Sequence, residues 1–265
     1  MRGGAGVSRS PLLRFLWDIF EEWDLVFFLL RQLTRSAAGI RTFEEFLYTV
    51  GSASNGKDTI IALMNAALGV GPHGYAYPLT ADYFVAGAKR SVDGPSPLLA
   101  ALEGKRFAPV TEPRQGCPLD TAMLKRVTEQ LGTPIVTHGK FKDPKAWLPE
   151  FLLFFACNGL PPFEGDGGIR RRFTLLHFPL SFVPVLSVPP RANERVGNNA
   201  VKAQVRAHVP ELLFWFRKLF PGLAAATGSR ILPIPELVQE ALDDVPELQE
   251  VPDNDLVKRF IDPME

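Results

Sequence analysis

The chain has 265 residues, 46% of them hydrophobic and 22% charged, enough to bury one large domain or one domain with an appended subdomain. Its 29 basic and 29 acidic residues give a formal net charge of zero, which excludes a protein that coats nucleic acid through a global basic field and leaves such contacts to local clusters. Cys117 and Cys157 are the only cysteines and have no paired spacing, which argues against a disulfide framework or zinc site and for an intracellular, reducing compartment, cytoplasm or nucleus alike.

Residues 1–10 are rich in Gly, Ser and Arg and are expected to be disordered. Leu12 to Phe20 and Leu25 to Leu33 carry apolar residues at helical spacing, predicting two short amphipathic helices. Arg14, Asp18, Glu21, Glu22 and Asp24 interrupt this Leu- and Phe-rich stretch and exclude a membrane span. The apolar run Phe46 to Val50 reads as a buried strand, and Ile61, Met64 and Leu68 continue at helical spacing until Gly69 supplies a stop. Leu79 to Val85 is ambiguous, and Ser96 to Glu103 reads as a helix ended by Gly104. Three further apolar runs follow, Arg106 to Thr111, Phe151 to Ala156 and Phe173 to Phe178. All-apolar strands alternating with helices predict an α/β fold with a parallel sheet covered on both faces. Val183 to Pro190 is proline rich and extended, then Val201 to Leu219 and Pro235 to Leu242 read as helices before an acidic tail. The expected organisation is a helical N-terminal region over 1–35, a core over 36–182 and a helical C-terminal region over 183–265.

Between the first strand and its helix lies Gly51-Ser52-Ala53-Ser54-Asn55-Gly56-Lys57-Asp58-Thr59, a phosphate-binding loop correct at Gly51, Gly56 and Lys57. With Gly at about 7% and Lys about as frequent, the bare pattern arises by chance in roughly one chain of this length in ten. The order strand, glycine loop, helix is what the mechanism requires, because a helix starting at Lys57 aims its dipole and free N–H groups at a phosphate. Asp58 stands where the pattern has Ser or Thr. Its carboxylate can offer oxygen to Mg²⁺, but it brings negative charge close to the phosphates of ATP.

Ligands of open α/β sheets bind beyond the carboxyl ends of the strands, and there the chain places Glu112 and Asn158. Glu112 is suited to polarise an attacking water or hold Mg²⁺ through one; Asn158 is suited to orient that water. Either residue can also simply begin a turn, beside Pro113 or Gly159. The triplet Arg170-Arg171-Arg172, after Asp166-Gly167-Gly168, can project a guanidinium into a neighbouring site or form a solvated basic turn. Lys125, Arg126, His138, Lys140, Lys142 and Lys145 concentrate positive charge around Gly139, as a hairpin that tracks a phosphate backbone does, and as an ordinary soluble surface also does.

These blocks together resemble the superfamily 3 helicases, in particular the C-terminal helicase part of poxvirus-type and phage or plasmid primase-helicases. The resemblance spans Leu12 to Leu242 and rests on Phe15 to Phe20, Gly51 to Thr59, Leu102 to Arg106 with Glu112-Pro113, Leu119-Asp120 with Leu124-Lys125, Leu152 to Asn158 with Leu160-Pro161, and Asp166 to Phe178. It implies an AAA+ type P-loop core in a homo-oligomeric ring, usually hexameric, that hydrolyses ATP with Mg²⁺ between subunits and moves on single-stranded DNA in viral or mobile-element replication. By resemblance Ser52, Ala53, Ser54 and Asn55 belong to the nucleotide loop, and Lys57 contacts the β and γ phosphates. Asp58, Thr59 and Glu112 would serve the metal, with Glu112 the Walker B acid and Asn158 the sensor. Arg171 or Arg172 would be the finger acting on the next subunit, and Pro134 to Lys142, with His138, Lys140 and Lys142, the DNA hairpin. The chain departs from the family at Asp58, at Ala53 where Gly is frequent, at Pro109 inside a strand, and at Leu131 to Pro134 in place of Gly-Gly-Asp. No primase domain fits before Leu12, so priming would belong to a separate primase or polymerase or to a missing N-terminal part. The alternative is a nucleotide-binding or structural ring subunit that has lost turnover through Asp58; a small-molecule kinase would leave the Asn158 and Arg171 blocks without a role.

Overall fold

Four largely apolar strands form the centre of the fold, because the sheet is covered on both faces. The computed structural model describes residues 10–40, 44–88, 96–112, 116–129, 132–137, 139, 143–197, 200–225 and 234–248. In chain order the elements are α1 (Pro11–Phe20), α2 (Trp23–Ala38), β1 (Phe46–Val50), α3 (Lys57–Leu68), a 3₁₀ turn (Ala81–Phe84), α4 (Pro97–Ala100), β2 (Phe107–Val110), α5 (Thr121–Val127), β3 (Ile135–Thr137), β4 (Lys145–Trp147), β5 (Leu152–Cys157), α6 (Gly167–Arg170), β6 (Phe173–His177), β7 (Ser181–Val183), β8 (Glu194–Val196), α7 (Ala200–Ala203), α8 (Val205–Ala225), α9 (Glu236–Asp243) and a last 3₁₀ turn (Pro246–Leu248).

The main sheet is parallel with strand order β2-β5-β1-β6. Successive side chains on a strand point to opposite faces, so each strand feeds two cores. Leu47, Phe107, Phe154 and Leu176 join one core with Ile60, Leu63 and Met64 of α3 and the buried faces of α1, α2 and α8. Phe46, Tyr48, Ala108, Leu153, Phe155, Phe173 and Leu175 join the other with α5, Ile169 of α6 and Leu242 of α9. Tyr48 stacks between Phe155 and Phe173, with ring centroids 5.3 and 5.4 Å away.

Pro109 is accommodated by position. β2 is one of the two edge strands, and Tyr77 and Leu79 donate to the carbonyls of Phe107 and Pro109 at 3.0 and 2.8 Å on its outer side. The missing Pro109 N–H faces that outer segment, so the ladder to β5 is intact. The antiparallel β3–β4 pair doubles the chain back, with Trp147 Nε1 donating to Thr137 Oγ1 at 2.8 Å.

α1 and α8, far apart in sequence, meet on one face of the sheet. Glu211 of α8 caps the start of α1, taking the Leu12 N–H at 3.0 Å and the Ser10 hydroxyl; an acid there also suits the positive end of the helix dipole. The amino end of β1 is pinned to α2 by a buried carboxylate, Glu45, which pairs with Arg35 at 3.2 Å and accepts from Gln32. Among the described residues no helix is long and apolar enough to cross a membrane.

Because Leu212 of α8 is fully buried in the core shared with α2 and α3, Leu212→Ala is expected to cost about 2–5 kcal/mol. Urea unfolding followed by circular dichroism should show one transition at a lower midpoint. A separate early transition of the α8 segment would contradict a shared core.

Candidate functional site

The carboxyl ends of β2, β5, β1 and β6 all open on the same side, and a cleft of about 1440 Å³ lies there. Its floor is the loop from Gly51 to Thr59, which leaves β1 and enters α3. Gly51 is required by close approach: a Cβ there would lie 2.3 Å from the Phe178 carbonyl oxygen and 2.6 Å from Asn55 Nδ2. Gly56 has φ +96°, a value side chains resist, and a Cβ on it would meet Ile19 of α1 at 2.6 Å. Ser54 takes a positive φ of 60° without being glycine, and its strain is held from outside. Phe182 N donates to Ser54 O at 2.8 Å and Ser181 Oγ to Ala53 O at 3.2 Å, so β7 braces the loop.

Lys57 is folded onto the loop. Its Nζ donates to the carbonyls of Gly51 at 2.6 Å and Ser52 at 3.4 Å, and burial lowers its pKa against the opposing pull of Asp58, Cys157 and Glu112. Asn55, only 3% exposed, accepts the Lys57 N–H at 3.3 Å through Oδ1, while its Nδ2 is buried without a hydrogen-bond partner. An orphaned donor beside a glycine-lined cradle at a helix N-terminus fits a phosphate group. Asp58 is exposed to the cleft and Thr59 is buried, both in the first turn of α3.

Glu112 and Asn158 are brought together. The Glu112 carboxylate receives the Asn158 N–H at 3.0 Å and its Nδ2 at 2.6 Å, one on each oxygen, and both residues line the cleft with the loop. Beneath them Gly51 N donates to Cys157 O at 3.3 Å, which sets Asn158 beside the start of the loop. Burial pushes the Cys157 thiol up to about 11, with the neighbouring Tyr48 hydroxyl as hydrogen-bond partner, so this sulfur is packing and not a nucleophile.

Arg171 and Arg172 lie at the amino end of β6, the opposite end of the sheet, roughly 16 Å away for five strand residues. They do not line this chain's own cleft. The Arg172 side chain is 4% exposed and is held by Glu44 at 2.8 Å and by the Gly168 carbonyl; that of Arg171 is 63% exposed and pairs with Glu44 at 2.8 Å. His138, Lys140 and Lys142 lie outside the described residues. Sequence reasoning missed part of the cleft lining, where Arg195 of β8 meets Glu21, the C-cap of α1, across 174 positions. No motif marks that pair.

No family model matches the chain. Over 170 residues it is 28% identical to the candidate helicase L207/L206 of Acanthamoeba polyphaga mimivirus, a stretch covering 64% of this chain and 17% of that protein. The chain is a distant homologue of part of that protein. It also superposes on the apo A form of the NrS-1 C-terminal region with a TM-score of 0.54 at 10% identity, covering 86% of this chain and 49% of the other. At that identity the likeness is one of fold, an α/β unit with a central parallel sheet and flanking helices.

Gly51→Ala should destabilise the chain by about 2 kcal/mol or more, read as a lower thermal midpoint, since the obstacle is backbone. The raised Cys157 pKa makes its stability contribution fall as pH rises from 9.0 towards about 11, where the unfolded chain has released the proton and the folded one retains it. Iodoacetamide at pH 8 should label half-buried Cys117 before buried Cys157 in the native protein. Equal rates would contradict this environment.

Proposed function

We propose that the chain is the motor part of an ATP-dependent DNA helicase that works as a ring, with each nucleotide held at the loop of one subunit and completed by the next. The observation that carries this reading is the convergence of the phosphate loop, Glu112 and Asn158 in one cleft at the carboxyl ends of three adjacent parallel strands. The homology to part of a candidate viral helicase supports it.

In this reading the loop N–H groups and Asn55 receive the phosphates, and Lys57 leaves its loop carbonyls to reach the β and γ oxygens. Asp58, Thr59 and Glu112 would hold Mg²⁺, which would supply positive charge to offset the negative charge that develops in the reaction. Glu112 polarises the attacking water, and Asn158 both orients that water and restrains the Glu112 carboxylate until ligand arrives. Arg171 is the better finger of the two candidates, because it is exposed while Arg172 is buried in the anchor. The β3–β4 hairpin, with His138, Lys140 and Lys142 in its connection, is assigned to single-stranded DNA.

A second reading is favoured by one observation: Asp58 is exposed in the cleft at the first turn of α3, where it sets a carboxylate beside the phosphate position. The chain would then be a nucleotide-binding ring subunit without turnover.

ATP hydrolysis measured with and without single-stranded DNA tests the first reading. DNA is expected to stimulate the rate, and Lys57→Ala and Glu112→Gln should each lower it at least 100-fold. An assembled, DNA-bound wild type with no hydrolysis above background sinks it. Asp58→Ser should raise affinity for metal-free ATP about 5-fold by removing the like charge, and under the second reading it also switches hydrolysis on.

A further inference from the structure

The lining of the cleft carries a cation that the loop chemistry does not use. Arg195 projects from β8 and meets Glu21, with Nε 2.9 Å from Oε1 and Nη2 2.9 Å from Oε2, while Nη1 donates to the carbonyls of Ala192 and Glu194 at 2.9 and 3.0 Å. Glu21 ends α1 in the left-handed conformation, φ 51°, and both side chains line the same cleft as the phosphate loop. The pair therefore joins the end of α1 to the β7–β8 unit in the lining of the cleft. With side chains 38% and 48% exposed, it is a fork-to-fork contact of good geometry but little net stability. The Arg195 guanidinium holds the Glu21 carboxyl below its usual range, so the pair is fully charged near neutral pH.

In the lining of the cleft Arg14, Lys57, Lys202 and Arg195 are matched by Asp18, Glu21, Asp58 and Glu112, so a polyphosphate brings negative charge to a lining with no net positive charge to receive it. Arg195 stands in register with Phe182, and β7 holds the β7–β8 unit against the loop through Phe182 N to Ser54 O and Ser181 Oγ to Ala53 O. These two bonds do not involve Glu21. Arg195 can leave Glu21 while its strand stays over the loop.

Resting on the nucleotide reading above, we propose that Glu21 and Arg195 form an anion-operated clasp. A polyphosphate entering the cleft takes the Arg195 guanidinium from Glu21, gains a bidentate cationic contact and uncouples α1 from the β7–β8 unit. A guanidinium fork matches phosphate oxygens as well as it matches a carboxylate, and a polyphosphate brings several negative charges where Glu21 brings one. The exposed pair is weak enough to exchange. Glu21 thus acts as a competitor that keeps the empty clasp closed.

Titration calorimetry on the full chain with sodium tripolyphosphate, ATP and adenosine tests the clasp. Arg195→Met should weaken tripolyphosphate and ATP about 10- to 100-fold, the range of a charge-assisted contact, and Arg195→Lys less. Glu21→Gln should tighten both about 2- to 5-fold, a gain that a folding defect does not mimic. Adenosine binding should be the same in all variants, and the double variant should match Arg195→Met. The clasp is overturned if the wild type binds tripolyphosphate and Arg195→Met binds it equally well, or if Glu21→Gln weakens it. A wild type that binds neither ATP nor tripolyphosphate overturns the nucleotide reading itself, and the clasp with it.

Discussion

The structure depends on how closely four segments crowd around Gly51. Its N–H is bonded to the end of β5, its carbonyl accepts from Lys57 Nζ, and the Phe178 backbone occupies the space that a side chain would take. A single absent Cβ therefore lets β1, β5, β6 and the first turn of α3 come together. That junction fixes where Glu112 and Asn158 stand, because both follow directly from strands whose register runs through β1. It also explains why the loop can carry a strained Ser54 and an unpaired Asn55 donor: the surrounding sheet over-determines the conformation.

The same strand separates two kinds of chemistry. At the carboxyl end of β1 are the phosphate loop and the acid–amide pair; at the amino end, Glu44 holds Arg171 and Arg172 while Glu45 is buried against Arg35 and Gln32. A residue at the amino end does not reach its own chain's cleft. The buried Glu45 network is not a strong source of stability in itself, since desolvation offsets much of the attraction. What it does is give β1 a defined starting point, so that anchor and loop are joined by one rigid strand.

Much of this was legible because parallel strands buried on both faces leave an uninterrupted apolar signal. Phe46 to Val50, Phe151 to Ala156 and Phe173 to Phe178 mark their strands within a residue, and Gly69 stops α3 where its φ is positive. The positions of Glu112 and Asn158 beyond the strand ends were legible for the same reason, as polar residues that follow apolar runs. Pro109 was not, because sequence does not say which strand is the edge. Nor was the Glu21–Arg195 pair, a contact created only when the short parallel β7–β8 pair, written in a proline-rich stretch, folds back over α1. Local pattern carries strands and loops; it does not carry a salt bridge between distant segments.

Asp58 gains its meaning from this geometry. In the first turn of α3 a carboxylate is favoured by the helix dipole by about 0.3–1 kcal/mol, which stabilises Asp58 at a position where the loop pattern has Ser or Thr. On the proposed function a phosphate would compete with that anion for the same field, beside a Lys57 drawn into the loop and partly desolvated. Nucleotide would then be favoured when accompanied by cations: Asp58 would help to hold a divalent ion, and Arg14, Lys202 and Arg195 line the same cleft. On that reading a residue that would be a defect in an isolated loop becomes a reason for the cations around it.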